Sequence, residues 1–94
     1  MFIEVIGPQP LPDDVDRDDV EDLLVAALRG DGEVTGAGSG GSGRWHLDVE
    51  LSTGIEESQI VLQRLAAALV DHDLGWIVLR PELERVGTAA SELA

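Results

Sequence analysis

The alternation of apolar and polar side chains is most regular between residues 44 and 51. Every odd position there is apolar and every even position is polar, in the order Arg44, Trp45, His46, Leu47, Asp48, Val49, Glu50, Leu51. A period of two is typical of a β-strand with one buried face and one open face. The pattern therefore predicts a strand whose odd side chains, including Trp45, lie in the core.

Shorter apolar runs predict three more strands. The run Phe2–Ile6 is ended by Gly7 and Pro8, a second strand starts at Glu33–Gly36, and Trp76–Leu79 is closed by Pro81. Proline cannot donate to a sheet ladder, so it marks the end of a strand.

Apolar residues at spacings of three and four predict two helices. The first has Asp16 as its N-cap, Asp19 in its first turn and Gly30 and Gly32 at its end. The second begins at a capping box formed by Thr53 and Glu56 and stops near residues 74–75. Its predicted inner side chains are Ile55, Leu62, Leu65, Ala66 and Leu69.

The element order β-α-β-β-α-β predicts an α+β fold, a ferredoxin-like two-layer sandwich with an antiparallel sheet and both helices on one face. Residues 1–81 form its single domain. Residues 82–94 are expected to be a tail, or a weak helix that lies on the open sheet face through Leu83, Val86 and Leu93.

The glycine- and serine-rich stretch 37–43 is expected to be a flexible connection. A Walker loop needs a lysine followed by a helix, whereas this chain has no lysine and a strand follows the glycines. Nucleotide binding at this stretch is therefore not expected, and no cofactor is predicted.

Charge excludes two classes of partner. Nineteen acidic residues face six basic ones, all arginine, and give a formal net charge of −13. Nucleic acids and anionic membranes repel such a field. The charge favours a basic protein partner, a divalent cation, or solubility alone. The chain has no cysteine, its first residues do not match the pattern of a signal peptide, and no apolar run reaches membrane-spanning length, so a cytoplasmic protein is expected.

Two groups of acidic residues are candidates for binding. His46, Asp48 and Glu50 share the open face of the third strand, with Glu4 on the neighbouring strand. Such a group can bind a metal, act in acid–base chemistry or contact a partner. These residues alternate on a flat face and form no pocket, and the sequence supplies no nucleophile or oxyanion hole, so neither catalytic residues nor metal ligands are predicted. The second group precedes the first helix and comprises Asp13, Asp14, Asp16 and Asp18.

That acidic run does not match a calcium loop. Counting from Asp14, Asp19 stands where an EF-hand needs glycine and Val25 where it needs glutamate. Apolar residues are also expected on the open face, because Phe2 and Ile6 lie on the same side of their strand as Glu4. Such a patch indicates an interface, which the C-terminal segment, a partner or a second copy would cover.

The segment 32–38, followed by Leu47–Leu51, resembles small bacterial proteins of the toxin-immunity type, in which a glycine-rich hairpin precedes an acid-alternating strand. The resemblance implies a non-enzymatic inhibitor that covers a basic toxin, such as a nuclease, by charge and shape. Two alternatives stay open: a small-molecule-sensing regulatory domain that forms a homodimer through its sheet, and a small metal-dependent or acid–base enzyme. The residues expected to contact a partner are Glu4, His46, Asp48, Glu50, Asp13, Asp14, Asp16 and Asp18.

Overall fold

The centre of the fold is a five-stranded antiparallel sheet. The computed structural model describes residues 1–40, 43–52 and 54–94. The strands are β1 (Phe2–Gly7), β2 (Gly32–Ser39), β3 (Trp45–Leu51), β4 (Val78–Pro81) and β5 (Thr88–Ala89), in the spatial order β2-β3-β1-β4-β5. The helices are α1 (Arg17–Leu28), α2 (Ile55–Asp71) and α3 (Ala90–Leu93). The predicted α+β class and antiparallel sheet are confirmed; β5 was not predicted, and α3 is a short form of the weak C-terminal helix that was one of two expectations.

The alternation in β3 decides which face of the sheet is buried. Its four odd side chains are at most 7% exposed, as predicted. Ile3 and Val5 of β1 face the same layer because they stand opposite Val49 and Leu47 in the register. One apolar core joins these strands to α1 and α2. The helix residues that contribute most to it are Val20, Leu24, Leu28, Val61, Leu62, Leu65, Ala66 and Leu69.

Trp45 closes one end of this core. It stands opposite Gly7 in the register, where an added Cβ would overlap the indole ring, so a glycine is required for the ring to lie over the end of β1. The indole Nε1 donates to the carbonyl of Gln9 at 3.1 Å, which satisfies its polar atom. The contact fixes the start of the loop that leads to α1.

The first helix begins at its predicted cap. Asp16 is the N-cap, and the Asp19 carboxylate accepts its backbone N–H at 3.0 Å. At the other end, Arg29 has a φ of 51° and Gly30 a φ of 83°, so the left-handed turn that ends α1 starts one residue before the predicted glycine.

An arginine of α2 caps the C-terminal end of α1. Arg64 Nε donates to the carbonyl of Ala27 at 2.6 Å, and its Nη2 donates to the carbonyl of Leu28 at 2.7 Å. The same Nη2 lies 2.8 Å from an Asp31 carboxylate oxygen. The last carbonyls of a helix have no hydrogen-bond partner within the helix, and they form its negative dipole end. A guanidinium there stabilises the helix both through hydrogen bonds and through its charge. The contact joins α1 to α2 and, through Asp31, to the residue that precedes β2.

The second helix ends earlier than predicted, at Asp71 instead of residues 74–75. Asp73 has a φ of 61°, and the Leu74 N–H bonds back to the Leu69 carbonyl at 2.8 Å. This Schellman turn reverses the chain so that Leu74 packs in the core. The predicted capping box involves Thr53, which lies outside the described residues, as does the side chain of Ile55.

Residues 37–39, the first part of the glycine-rich stretch, were wrongly predicted to be a flexible connection. Strand β2 continues through Ala37 and Gly38 to Ser39, because each pairs with a residue of β3. A register shift between Val34 and Gly36 bends the strand at this place. Gly41 and Ser42, at the end of the stretch, lie outside the described residues.

The fourth strand starts later than predicted. Trp76 and Ile77 lie in a turn, since the Ile77 N–H bonds to the Leu74 carbonyl at 3.1 Å, and β4 runs from Val78 to Pro81. Pro81 is therefore part of the strand, opposite Ile3, instead of following it.

Residues 88–93 are ordered against the fold and do not cover the open sheet face. β5 pairs with β4, the Ala90 N–H bonds to the Ile77 carbonyl at 2.8 Å, and α3 lies beside α2. Gly87 makes the close approach to β4, because a Cβ there would overlap Val78. Leu83 and Val86, which were expected to cover the sheet, are 78% and 79% exposed. None of the described helices has the length and apolar composition needed to cross a membrane.

Replacing Arg64 by methionine is expected to lower the free energy of unfolding by about 1–3 kcal/mol, because the carbonyls of Ala27 and Leu28 lose their charged donor. Urea denaturation of both proteins measures the difference. Arg85→Met, which removes an exposed arginine, should change the value by less than about 0.5 kcal/mol. Equal effects of the two substitutions would contradict the capping role of Arg64.

Candidate partner-binding face

The sheet face opposite the helices carries the first group of predicted residues. We call it the open face. It is formed by the alternate side chains that the core does not use: Phe2, Glu4, Ile6, Glu33, Gly36, Gly38, His46, Asp48, Glu50, Val78 and Arg80. Glu4 stands directly opposite Asp48, and Ile6 opposite His46. The structure therefore brings together Glu4, His46, Asp48 and Glu50, as the sequence predicted.

An arginine stands among these acids. Arg80 is the register partner of Glu4, and its Nε donates to the Glu4 carboxylate at 3.2 Å. Its Nη1 also donates to the carbonyl of Glu84 at 2.9 Å. Sequence reasoning missed Arg80 because it placed the fourth strand too early. The signal was available, since Arg80 follows Val78 at the spacing of two that places both on one face.

Two glycines of β2 provide space for the polar side chains of β3. A Cβ at Gly36 would lie 3.0 Å from the Asp48 Oδ2 atom, and a Cβ at Gly38 would overlap the His46 ring. The two β3 side chains therefore lie over the backbone of β2. His46 Nε2 and Asp48 Oδ2 are 3.9 Å apart, and both side chains are about two-fifths exposed.

The open face is most acidic at the end where β1 begins. Glu33 stands opposite Glu50, and Glu50 stands opposite Phe2. Glu82 adds a further carboxylate there, which accepts the Phe2 N–H at 3.1 Å. Phe2 is 47% exposed, so an aromatic ring lies among the acids. The other end carries Ile6, Val78 and His46, with Arg44 beside them.

The open face has only shallow depressions. One of its depressions measures about 200 Å³ and is lined by Phe2, Ile3, Glu4, Thr35, Asp48, Arg80 and Glu82. Drug-sized ligands usually occupy pockets of about 300–1,000 Å³. In the described ranges, no group of three or more His, Asp or Glu side chains converges closely enough to hold a metal ion. The geometry suits contact with side chains of a macromolecule better than enclosure of a substrate.

The second predicted group lies elsewhere on the molecule. Asp13 and Asp14 are in the turn before α1, Asp16 caps the helix, and Asp18 is in its first turn. Because α1 packs on the buried face of the sheet, these acids are not part of the open face. The two predicted groups therefore lie on different sides of the sheet.

A groove lies next to the second group. It has a volume of about 530 Å³ between the start of α1 and the end of α2, with an apolar floor and an acidic rim. Its lining residues are Asp14, Val15, Asp19, Val20, Asp22, Leu23, His72 and Leu74. The turn at Asp73 that brings Leu74 to this groove was not predicted.

Comparisons of this chain with protein-family models, with curated proteins and with solved structures found no match.

The Glu4–Arg80 contact predicts a small, measurable coupling. In a double-mutant cycle with Glu4→Gln and Arg80→Gln, the coupling energy is expected to be about 0.2–1 kcal/mol, because both side chains are about one-third exposed. Denaturant unfolding of the four proteins at low salt gives the value. A coupling that stays at zero would show that the two side chains do not stabilise each other.

Proposed function

We propose that this chain is a non-enzymatic binding module that docks a basic protein through its open face. The observation that carries the proposal is the composition of that face, which no helix of the described chain covers. It presents Glu4, Glu33, Asp48 and Glu50 against Arg80, and the ring of Phe2 is half-exposed among them. Protein interfaces combine exposed aromatic anchors with a polar surround in this way.

The charge of the whole molecule supports a basic partner. A net charge of −13 on 94 residues attracts a cationic protein over a distance of about one Debye length, roughly 8–10 Å at moderate salt. Such a field raises the association rate and rejects anionic competitors. The resemblance of residues 32–38 and 47–51 to immunity proteins leads to the narrower proposal that the partner is a basic toxin in the cytoplasm.

The finer fold assignment also belongs to this proposal. We infer that β1 to β4 with α1 and α2 form a ferredoxin-like unit, to which β5 and α3 are added. It is supported by the order β2-β3-β1-β4, in which the two strands that each precede a helix are adjacent at the centre. A sheet of this kind has helices on one side only, which leaves the other side for a partner.

The proposal predicts that the chain captures one basic protein from a lysate of the cell in which it is native. This capture should depend on the open face. Wild-type protein on a resin is expected to retain it at low salt and to release it as salt rises. Reversing a charge on the face with Asp48→Arg should abolish retention. Reversing one on the helix side with Glu56→Arg should leave it unchanged, because Glu56 lies in the first turn of α2. Equal loss with both variants, or retention by both, would contradict docking through this face.

A second candidate function is a sensing domain that forms a homodimer. The exposed apolar side chains Phe2, Ile6 and Val78 favour it, since a second copy would bury them. The groove between α1 and α2 is large enough for a small ligand.

The salt dependence of association distinguishes a homodimer from a complex with a basic protein. Two open faces in contact would oppose their carboxylates, so a homodimer should strengthen as salt rises, whereas a complex with a basic protein should weaken. Sedimentation velocity of the protein alone between low and high salt measures this. We expect a monomer throughout; a dimer that grows with salt would favour the sensing domain.

A further inference from the structure

The groove between the start of α1 and the end of α2 lies on the helix side of the sheet and has no part in the docking proposed above. Its volume of about 530 Å³ is within the range of small-molecule sites. We propose that the groove binds a small primary alkylammonium ion, with the alkyl chain along its floor and the ammonium group at its acidic rim. The inference goes beyond the proposed function and does not depend on it.

Aliphatic side chains form the floor and walls of the groove. Val20 and Leu74 belong to the core and are 0% and 3% exposed. Val15 and Leu23 are partly buried and pack against the same core. An alkyl chain in the groove would therefore displace water from an apolar surface that is continuous with the core. Each methylene group that leaves water in this way should tighten binding about two- to fourfold.

Two backbone turns fix this apolar surface in the free protein. The Val15 N–H bonds to the Pro12 carbonyl at 3.0 Å just before α1, and the Leu74 N–H bonds to the Leu69 carbonyl at 2.8 Å just after α2. Main-chain hydrogen bonds therefore hold the groove on both sides. Because its walls are already ordered, a ligand does not meet the entropic cost of ordering them.

The rim of the groove is negatively charged. Asp14, Asp19 and Asp22 line it, and no arginine does. Among the described contacts, Asp19 accepts the Asp16 N–H, whereas the side chains of Asp14 and Asp22 form neither an ion pair nor a hydrogen bond. His72 adds an imidazole, which in its neutral form can accept a hydrogen bond. The groove therefore complements a ligand with an apolar body and a positive head, and it repels anions of the same length.

The lining residues distinguish a primary ammonium group from other cations. No Phe, Trp or Tyr lines the groove, and quaternary ammonium ions are recognised through such rings. A primary ammonium group donates three hydrogen bonds, which carboxylates and an imidazole accept. A metal ion needs converging ligands, and no group of three or more His, Asp or Glu side chains in the described ranges supplies them. Aliphatic walls below a carboxylate rim thus select an alkyl chain that ends in a primary ammonium group.

The test is a titration of the whole chain with hexylammonium at low salt, followed by the amide NMR signals of residues 15, 20, 23 and 74. Four further probes each change one property of the ligand. Methylammonium has the head alone, hexan-1-ol has the chain without the charge, hexanoate has the opposite charge, and hexyltrimethylammonium has a head without N–H donors. We expect a dissociation constant of about 1–10 mM for hexylammonium, and binding at least about fivefold weaker for each of the other four.

A matched pair of substitutions separates contact at the rim from the charge of the whole molecule. Asp22→Asn removes a rim carboxylate, whereas Glu21→Gln removes a neighbouring carboxylate of α1 that does not line the groove. Both variants lose one negative charge, so the long-range attraction falls equally. Asp22→Asn should weaken hexylammonium binding about two- to fivefold and leave hexan-1-ol binding unchanged, and Glu21→Gln should leave both unchanged.

Equal affinities for hexylammonium and methylammonium would show attraction by net charge alone. Equal affinities for hexylammonium and hexan-1-ol would show an apolar groove that does not select a cation. Either result overturns the inference, as would equal weakening by the two variants or signal shifts confined to the open face. The proposed function is tested separately, because Asp22 lies on α1, away from the open face, and Asp22→Asn should still capture the basic protein.

Discussion

The strict alternation along β3 is the constraint from which the rest of the structure follows. It lies next to the centre of the sheet, paired with β1 on one side and β2 on the other, so its two faces set the faces of both neighbours. Trp45 and the other odd residues make the floor on which α1 and α2 pack. A slip of one residue would exchange the core for the acids, which makes the register energetically well defined.

The two helices depend on each other as well as on this floor. Arg64 adds side-chain donors from within α2 to the last carbonyls of α1, so each helix stabilises the position of the other. Backbone bonds from Ala90 and Ser91 to Ile77 and Gly75 add the C-terminal segment to the same assembly. A domain of this length has a small core, and such contacts between distant elements support it.

The elements that sequence reasoning identified are those with local signals. The period of two in β3 and the cap at Asp16 were both correct, because each is decided by side chains a few residues apart. The predictions were wrong where a contact between residues distant in sequence determines the secondary structure. The second half of β2 carries almost no side chains to show a period, and only its pairing with β3 makes it a strand. The last residues form β5 because β4 offers an edge, which no local pattern shows.

The same distinction holds for the candidate site. The acids of β1 and β3 could be placed on one face because both strands alternate visibly. Glu33 could not, because its face depends on the register of a bulged glycine-rich strand, and Arg80 was missed because the start of β4, which follows a Schellman turn, was placed too early. The helix-start acids were chosen as partner contacts by charge alone, and charge does not specify which side of a sheet a residue occupies.

The pairing of β4 has a consequence for how the sheet ends. β5 covers Val78 and Leu79 and is itself only two residues long, and further along β4 Pro81 has no N–H to offer, so this side of the sheet has no edge long enough for strand addition. Among the described strands, β2 alone keeps a long outer edge. A sheet with only one edge available for strand pairing can pair with one other sheet at most. Edge-to-edge association of this protein would therefore stop at a pair and could not grow into a filament.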